Sequence, residues 1–80
     1  MDTTGYKIRP SKHFIVTWMR KWDYDIYSLR GALESAYKIE KVGKHKYEAY
    51  IRRKGKSRKL VLIKDDEYKE ILIVTGAEGK

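Results

Sequence analysis

The sequence predicts an α+β domain in which two amino-terminal helices pack on one face of an antiparallel four-stranded meander. Three observations predict this fold. Apolar residues recur with the helical period between residues 11 and 36, and after Ala36 the period becomes two, which is typical of strands. Helices that precede a run of strands indicate α+β architecture. We expect one domain over residues 1–80, with frayed ends at residues 1–5 and 76–80.

Two helices are expected first along the chain. Ser11 is a good N-cap residue for the first helix, and Asp25 is one for the second. The inner face of the first helix carries Ile15, Trp18, Met19 and Trp22. The inner face of the second carries Ile26, Leu29, Leu33 and Ala36. Residues 6–9 alternate apolar and basic side chains, so a short extra edge strand before the helices is one alternative.

Four strands are expected after the helices, at residues 37–42, 45–52, 59–64 and 70–75. The second of them alternates cleanly. Its predicted buried face carries Tyr47, Ala49 and Ile51. Its predicted polar face carries Lys46, Glu48, Tyr50 and Arg52. The continuous apolar runs of the last two strands predict that both are buried in the sheet.

The composition excludes several classes of function. The chain has no cysteine, which excludes disulfides, thiolate nucleophiles and cysteine-based zinc sites. Its two histidines lack a metal-ligand spacing, so we expect no metal and no cofactor. No apolar run approaches the roughly 20 residues of a membrane helix, and no apolar signal region is present, so we expect a cytoplasmic protein without a membrane partner. Many charges without Asn or Gln are typical of a thermophile protein.

Positive charge is concentrated in one part of the chain. The net charge is +8, and nine of the 19 Lys and Arg residues lie within residues 41–59, where Glu48 is the one acid. Such a basic segment indicates an anionic partner. We predict that nucleic acid is bound by Lys44, Lys46, Arg52, Arg53, Lys54, Lys56, Arg58 and Lys59. The alternative is a solvated hairpin turn whose lysines prevent aggregation at the sheet edge.

Several residues occupy positions typical of a known family. They are Ser11-Lys12-His13, Asp25, Leu29, Ala32-Leu33 and the hydrophobic segment that ends in Thr75. With these residues, over residues 6–75, the chain resembles the RelE/BrnT-type toxin superfamily and its small relatives. The resemblance implies a RelE-like fold, metal-independent cleavage of RNA, often at the ribosome, and an antitoxin protein as partner.

Metal-independent RNA cleavage needs a base for the ribose 2′-hydroxyl, an acid for the leaving oxygen and cations for the phosphorane. Among the residue types that can transfer protons, the catalytic candidates are His45, Glu48 and Tyr50. Three functions stay open. They are a toxin-like endoribonuclease, a non-catalytic RNA-binding module, and an interaction or structural module whose basic hairpin meets an acidic partner. Exposure of Trp18 and Trp22 would indicate a protein partner or a homodimer.

Overall fold

A computed structural model of the chain describes residues 1–78. The strands and helices follow in the order β1 Lys7–Pro10, α1 Lys12–Phe14 with a π-helical continuation Ile15–Met19, α2 Ile26–Glu34, β2 Lys38–Lys41, β3 Lys46–Arg53, β4 Lys56–Asp65 and β5 Glu70–Glu78. Thr3 is fully buried and residues 76–78 belong to β5. Fraying of the two ends stays a prediction, and residues 79 and 80 lie outside the described residues.

The strands form one five-stranded mixed sheet, so the predicted four-stranded antiparallel meander is wrong. The strand order is β1-β5-β4-β3-β2, and β2 to β5 are antiparallel neighbours. The first strand pairs with β5 in parallel, from Lys7 beside Glu70 to Pro10 beside Ile73. The extended piece before the helices is therefore a full member of the sheet. Pairing between segments this far apart leaves no local pattern in a sequence. For this reason the parallel pairing of β1 with β5 was not predicted.

The first helix begins as predicted, and Trp22, Trp18 and Met19 pack in or against the core as expected, but Phe14 takes the place of Ile15 on the buried face. The Ser11 hydroxyl accepts a hydrogen bond from the Phe14 N–H at 3.0 Å. Beyond Phe14 the helix widens into the π-helical turn, which rotates the side chains that follow relative to an α-helix. As a result Phe14 and Trp22 are buried, whereas Ile15, predicted on the inner face, is 45% exposed. Within residues 1–78, no helix has the length and apolar character needed to cross a membrane.

The core lies between the helices and one face of the sheet. Its most deeply buried side chains are Phe14, Leu29, Leu33, Ala49, Leu60, Leu62, Ile71 and Ile73. In β3, Ala49 and Ile51 face the helices, so Glu48, Tyr50 and Arg52 lie on the opposite face. This alternation is the one that the sequence predicts. We call the opposite face, which neither α1 nor α2 covers, the open face.

Candidate nucleic-acid interface

A group of exposed cations lies in and beside the turn between β3 and β4, at one end of the sheet. Lys54 and Gly55 form this turn with φ angles of 53° and 78°. A two-residue hairpin turn with both φ angles positive is of type I′, and it places Arg53 opposite Lys56. We call the four residues Arg52, Arg53, Lys54 and Lys56 the tip cations. Within residues 1–78 none of them takes part in an ion pair.

Two tyrosines lie side by side on the open face next to this turn. The ring centres of Tyr37 and Tyr50 are 6.5 Å apart, with 46° between the ring planes. The Arg52 guanidinium lies 5.3 Å from the centre of the Tyr37 ring, and the Lys38 amino group lies 5.3 Å from that of Tyr50. The hydroxyls of Tyr37 and Ser57 are 3.0 Å apart. We call Tyr37, Lys38, Tyr50 and Arg52 the aromatic cluster.

Tyr37 is absent from the residues that the sequence predicts for the site. It precedes β2, and its N–H donates to the Tyr50 carbonyl at 2.9 Å, which brings it alongside β3. Its side chain remains 54% exposed. The one signal in the sequence is an aromatic residue next to Lys38 at the start of a strand, and that pattern alone does not distinguish an exposed ring from a core ring.

On the open face, Glu48 contacts both Tyr50 and Lys59. The Tyr50 hydroxyl donates a hydrogen bond to Glu48 Oε1 at 2.8 Å, and Lys59 Nζ lies 3.4 Å from Glu48 Oε2. The hydrogen bond from Tyr50, helped by the positive charge of Lys59, lowers the pKa of Glu48. The same hydrogen bond raises the pKa of Tyr50. At neutral pH Glu48 is therefore a carboxylate and Tyr50 keeps its phenolic proton.

His45 lies apart from the other two catalytic candidates. It belongs to the turn between β2 and β3, where its carbonyl accepts the Lys64 N–H at 2.8 Å. Its side chain lines a cavity of about 240 Å³ together with residues of the β4–β5 turn. At about 3.3 Å of rise per residue, roughly 10 Å of strand separates it from Glu48. The structure thus brings Glu48 and Tyr50 together and leaves His45 outside their site.

The predicted nucleic-acid-binding cations divide between the two ends of β3. Lys44 and Lys46 lie at the β2–β3 end, roughly 23 Å along the strand from Arg53 at about 3.3 Å per residue. Because consecutive turns of a meander lie at opposite ends of the sheet, the acidic residues 65–67 of the β4–β5 turn share that end with the two lysines. At the other end, where the tip cations lie, residues 52–59 include no acidic residue.

Two further predicted cations are engaged within the protein. Arg58 is half-buried on the helix side of the sheet, where its guanidinium lies 4.8 Å from the centre of the Trp22 ring. It also donates a hydrogen bond to the Tyr24 hydroxyl at 3.4 Å. Lys59 is on the open face, but its amino group is paired with Glu48. Of the eight predicted residues, the four tip cations are the ones that the structure gathers at one exposed place.

No protein-family model matches this chain, and neither a curated protein nor a solved structure shows significant similarity to it. The relation to the RelE/BrnT-type superfamily therefore stays a prediction. Within residues 1–78, no group of three or more His, Cys, Asp or Glu side chains is placed to hold a metal ion.

Proposed function

We propose that this chain is a small cytoplasmic protein that binds single-stranded RNA through the aromatic cluster and the tip cations. The observation that carries the proposal is the pair of Tyr37 and Tyr50 rings beside Arg52, on a sheet face that no helix among residues 1–78 covers. Proteins bind single strands by stacking unpaired bases on aromatic rings and by tracking the phosphates with cations. Both components are present here within one corner of the sheet.

The backbone of the turn supports a functional role for its charge. Lys54 has a φ of 53°, in the left-handed region where a side chain other than that of Gly, Asn or Asp costs roughly 1 kcal/mol. Asn-Gly is the usual sequence of a type I′ turn. A lysine at this position adds a cation at the expense of turn stability. If this lysine served only solubility, it could lie at a nearby strand position, where a lysine causes no backbone strain.

Metal-independent RNA cleavage is the second candidate function, and the contact between Glu48 and Tyr50 is the observation that favours it. A carboxylate and a phenol can act as base and acid for phosphodiester cleavage. However, the lowered pKa of Glu48 weakens it as a base, and the Tyr50 proton is already donated to Glu48. We therefore propose binding as the function. The alternative is that the chain is the toxin of a toxin–antitoxin pair and cleaves RNA, at the ribosome or elsewhere. The same experiment tests this alternative.

The test measures binding and cleavage of one fluorescently labelled single-stranded RNA in the presence of a chelator. We expect retention that weakens with salt, with a slope of about 0.7 per neutralised phosphate on a single strand, and intact RNA throughout. Chelator-resistant cleavage that Glu48→Gln abolishes would favour the endoribonuclease. The absence of retention even at low salt would contradict RNA binding and favour an acidic protein as the partner of the tip cations.

A further inference from the structure

The edge of β3 is uncovered beyond Tyr50. The pairing between β2 and β3 ends with Lys38 beside Tyr50, so within residues 1–78 no strand lies next to residues 51–53 on that side. In a two-residue hairpin the residues that flank the turn, here Arg53 and Lys56, exchange backbone hydrogen bonds. The N–H and C=O of the preceding residue, Arg52, therefore point away from β4 and towards this uncovered edge.

A polar groove lies between this edge and α2. Its volume is about 160 Å³, and its walls include Ser28 of α2, Ser35 at the carboxyl end of α2, and Arg52 and Arg53 of β3. Adjacent residues of a strand point to opposite faces, so the two arginine side chains lie on either side of the β3 edge. Arg53 is on the helix side, with its guanidinium 5.8 Å from the centre of the Tyr24 ring. Hydroxyls, a guanidinium and a backbone N–H are donors of the kind that bind anions, although the Ser35 hydroxyl also donates to the Ala32 carbonyl at 3.3 Å.

The size of the groove limits what it can hold. A cavity of about 150 Å³ accommodates a molecule as large as benzene. The groove, at about 160 Å³ and open to solvent, therefore has room for a tetrahedral phosphate group, whereas a whole nucleotide would extend out of it. A phosphate monoester carries a charge of about −1.5 to −2 at neutral pH, more than the single charge of a phosphodiester. It is thus better matched to a groove that has the Arg53 guanidinium on one side and the Arg52 guanidinium just across the β3 edge.

The carboxylate of Asp25 lies beside Ser28 of the groove and opposes this charge. Asp25 is the N-cap of α2, and its side chain accepts the Ser28 N–H at 2.7 Å. That hydrogen bond lowers the pKa of Asp25, so the residue is negatively charged at neutral pH. Arg53 on the helix side and Arg52 across the β3 edge together outweigh this carboxylate. Asp25 also offers a direct test, because Asn is an equally good N-cap and removes the charge.

We propose that this groove binds the terminal phosphate of an RNA strand whose adjacent bases lie on the aromatic cluster. The strand crosses the β3 edge where β2 ends, with Arg52 on the open face and Arg53 on the helix side. The inference rests on the proposed function, since it assigns one end of the same RNA to a second site. Recognition of a chain end would direct the protein to processed or cleaved RNA rather than to the interior of a long strand.

The test compares one short single-stranded RNA with a 5′-phosphate, with a 3′-phosphate and with hydroxyls at both ends. We expect one phosphorylated form to bind about tenfold more tightly than the hydroxyl form, as hydrogen bonds to a charged group would give. The double change Ser28→Ala with Ser35→Ala should remove that difference and leave binding of the hydroxyl form unchanged. Asp25→Asn should increase the difference. Equal affinity for all three RNAs in the unmodified protein would overturn the terminal site and leave RNA binding intact.

A second measurement does not depend on RNA. Titration with inorganic phosphate should shift the amide resonance of Arg52, and the shift should be lost in the double serine variant. The amide of Lys44, at the other end of β3, is the control. A shift of Arg52 without RNA binding would support the anion site and contradict only the proposed function. An unchanged Arg52 resonance at saturating phosphate would overturn the site.

Discussion

The guanidinium of Arg58 lies 4.8 Å from the centre of the Trp22 ring, on the side of the sheet that the helices cover. Trp22 is buried, and its indole N–H donates to Glu78 at 3.3 Å. Arg58 thus covers the indole at the edge of the core. Its Nε is buried and has no hydrogen-bond partner among residues 1–78. Although it belongs to the same basic segment as the tip cations, it stabilises the fold.

Arg58→Ala should therefore lower the free energy of unfolding by about 1–2 kcal/mol, through loss of the cation–π contact and of the packing of the arginine stem. Urea denaturation measures this change. Lys56→Ala is the matched control, because it removes an exposed cation from the same hairpin and should stay within about 0.5 kcal/mol of the unmodified protein. Equal stability of the two variants would contradict a structural role for Arg58.

Tyr37→Ala should weaken binding of single-stranded RNA by about 1–3 kcal/mol, the usual contribution of one base stacked on an aromatic ring. Fluorescence anisotropy at low salt measures the affinity. Tyr68→Ala is the control, because Tyr68 is 76% exposed but lies in the acidic β4–β5 turn. If both variants bound RNA as well as the unmodified protein does, Tyr37 would not be part of the binding surface.

Lys54→Asn should stabilise the protein by about 0.5–1 kcal/mol, because Asn adopts positive φ with less strain and forms the usual type I′ turn with Gly55. The same change removes one tip cation, so RNA affinity should fall and the salt slope should decrease by about 0.7. Thermal unfolding and RNA titration of one preparation measure both effects. A loss of stability would show that the lysine side chain makes a contact that offsets the strain at this position.

Glu48→Gln should change the pH dependence of stability. The pKa of Glu48 is lower in the folded protein than in the unfolded chain, so the unfolded state takes up the proton first as the pH falls. The contribution of Glu48 is therefore complete above the ordinary glutamate pKa of about 4.3 and is lost as the pH falls through the lower value of the folded state. The difference in unfolding free energy between the two proteins should shrink as the pH is lowered over this range.

The control for this pH effect is Glu67→Gln. Within residues 1–78 the Glu67 side chain forms no ion pair or hydrogen bond, so its replacement should give a nearly constant difference across the same pH range. A difference for Glu48→Gln that grew as the pH fell would have the wrong sign for a depressed pKa and would contradict the contact with Tyr50 and Lys59.

Gly76→Ala should destabilise the protein, by about 1–3 kcal/mol, because the strand leaves no room for a methyl group. A Cβ at this position would lie 2.8 Å from Cη2 of Trp22 and 3.3 Å from the Lys59 carbonyl oxygen. Gly31→Ala is the opposite case, since a Cβ there meets nothing within 4 Å and α2 gains helix propensity worth up to about 1 kcal/mol. Denaturation of both variants should therefore give changes of opposite sign.

Local patterns predicted those parts of the structure that local chemistry determines. The Ser11 and Asp25 caps lie where expected, and the alternation of β3 separates Ala49 and Ile51 from Glu48 and Tyr50 as expected. The register of the first helix could not be predicted in this way. A helical period of 3.6 residues assigns Ile15 to the core, whereas the π-helical turn buries Phe14 in its place.

The candidate site was predicted only in part, because it depends on which segments meet. The sequence presents nine cations as one block, but the meander separates Lys44 and Lys46 from the tip cations by the length of β3. Whether an arginine faces solvent or the core depends on the parity of its position in the strand. Arg58 lies beside Ile51 and so faces the helices, whereas Arg52 lies on the open face. Lys56 has the same parity as Arg58, but only Arg58 of the two has the indole of Trp22 opposite it.

The parallel pairing of β1 with β5 determines the order in which the chain can fold. Each hairpin of the meander closes a short loop, and such steps are fast. The first strand, in contrast, finds its partner only across residues 11–69, and closing so long a loop has an entropic cost that contacts must offset. During synthesis Ile8 therefore has no strand partner until Ile71 has left the ribosome.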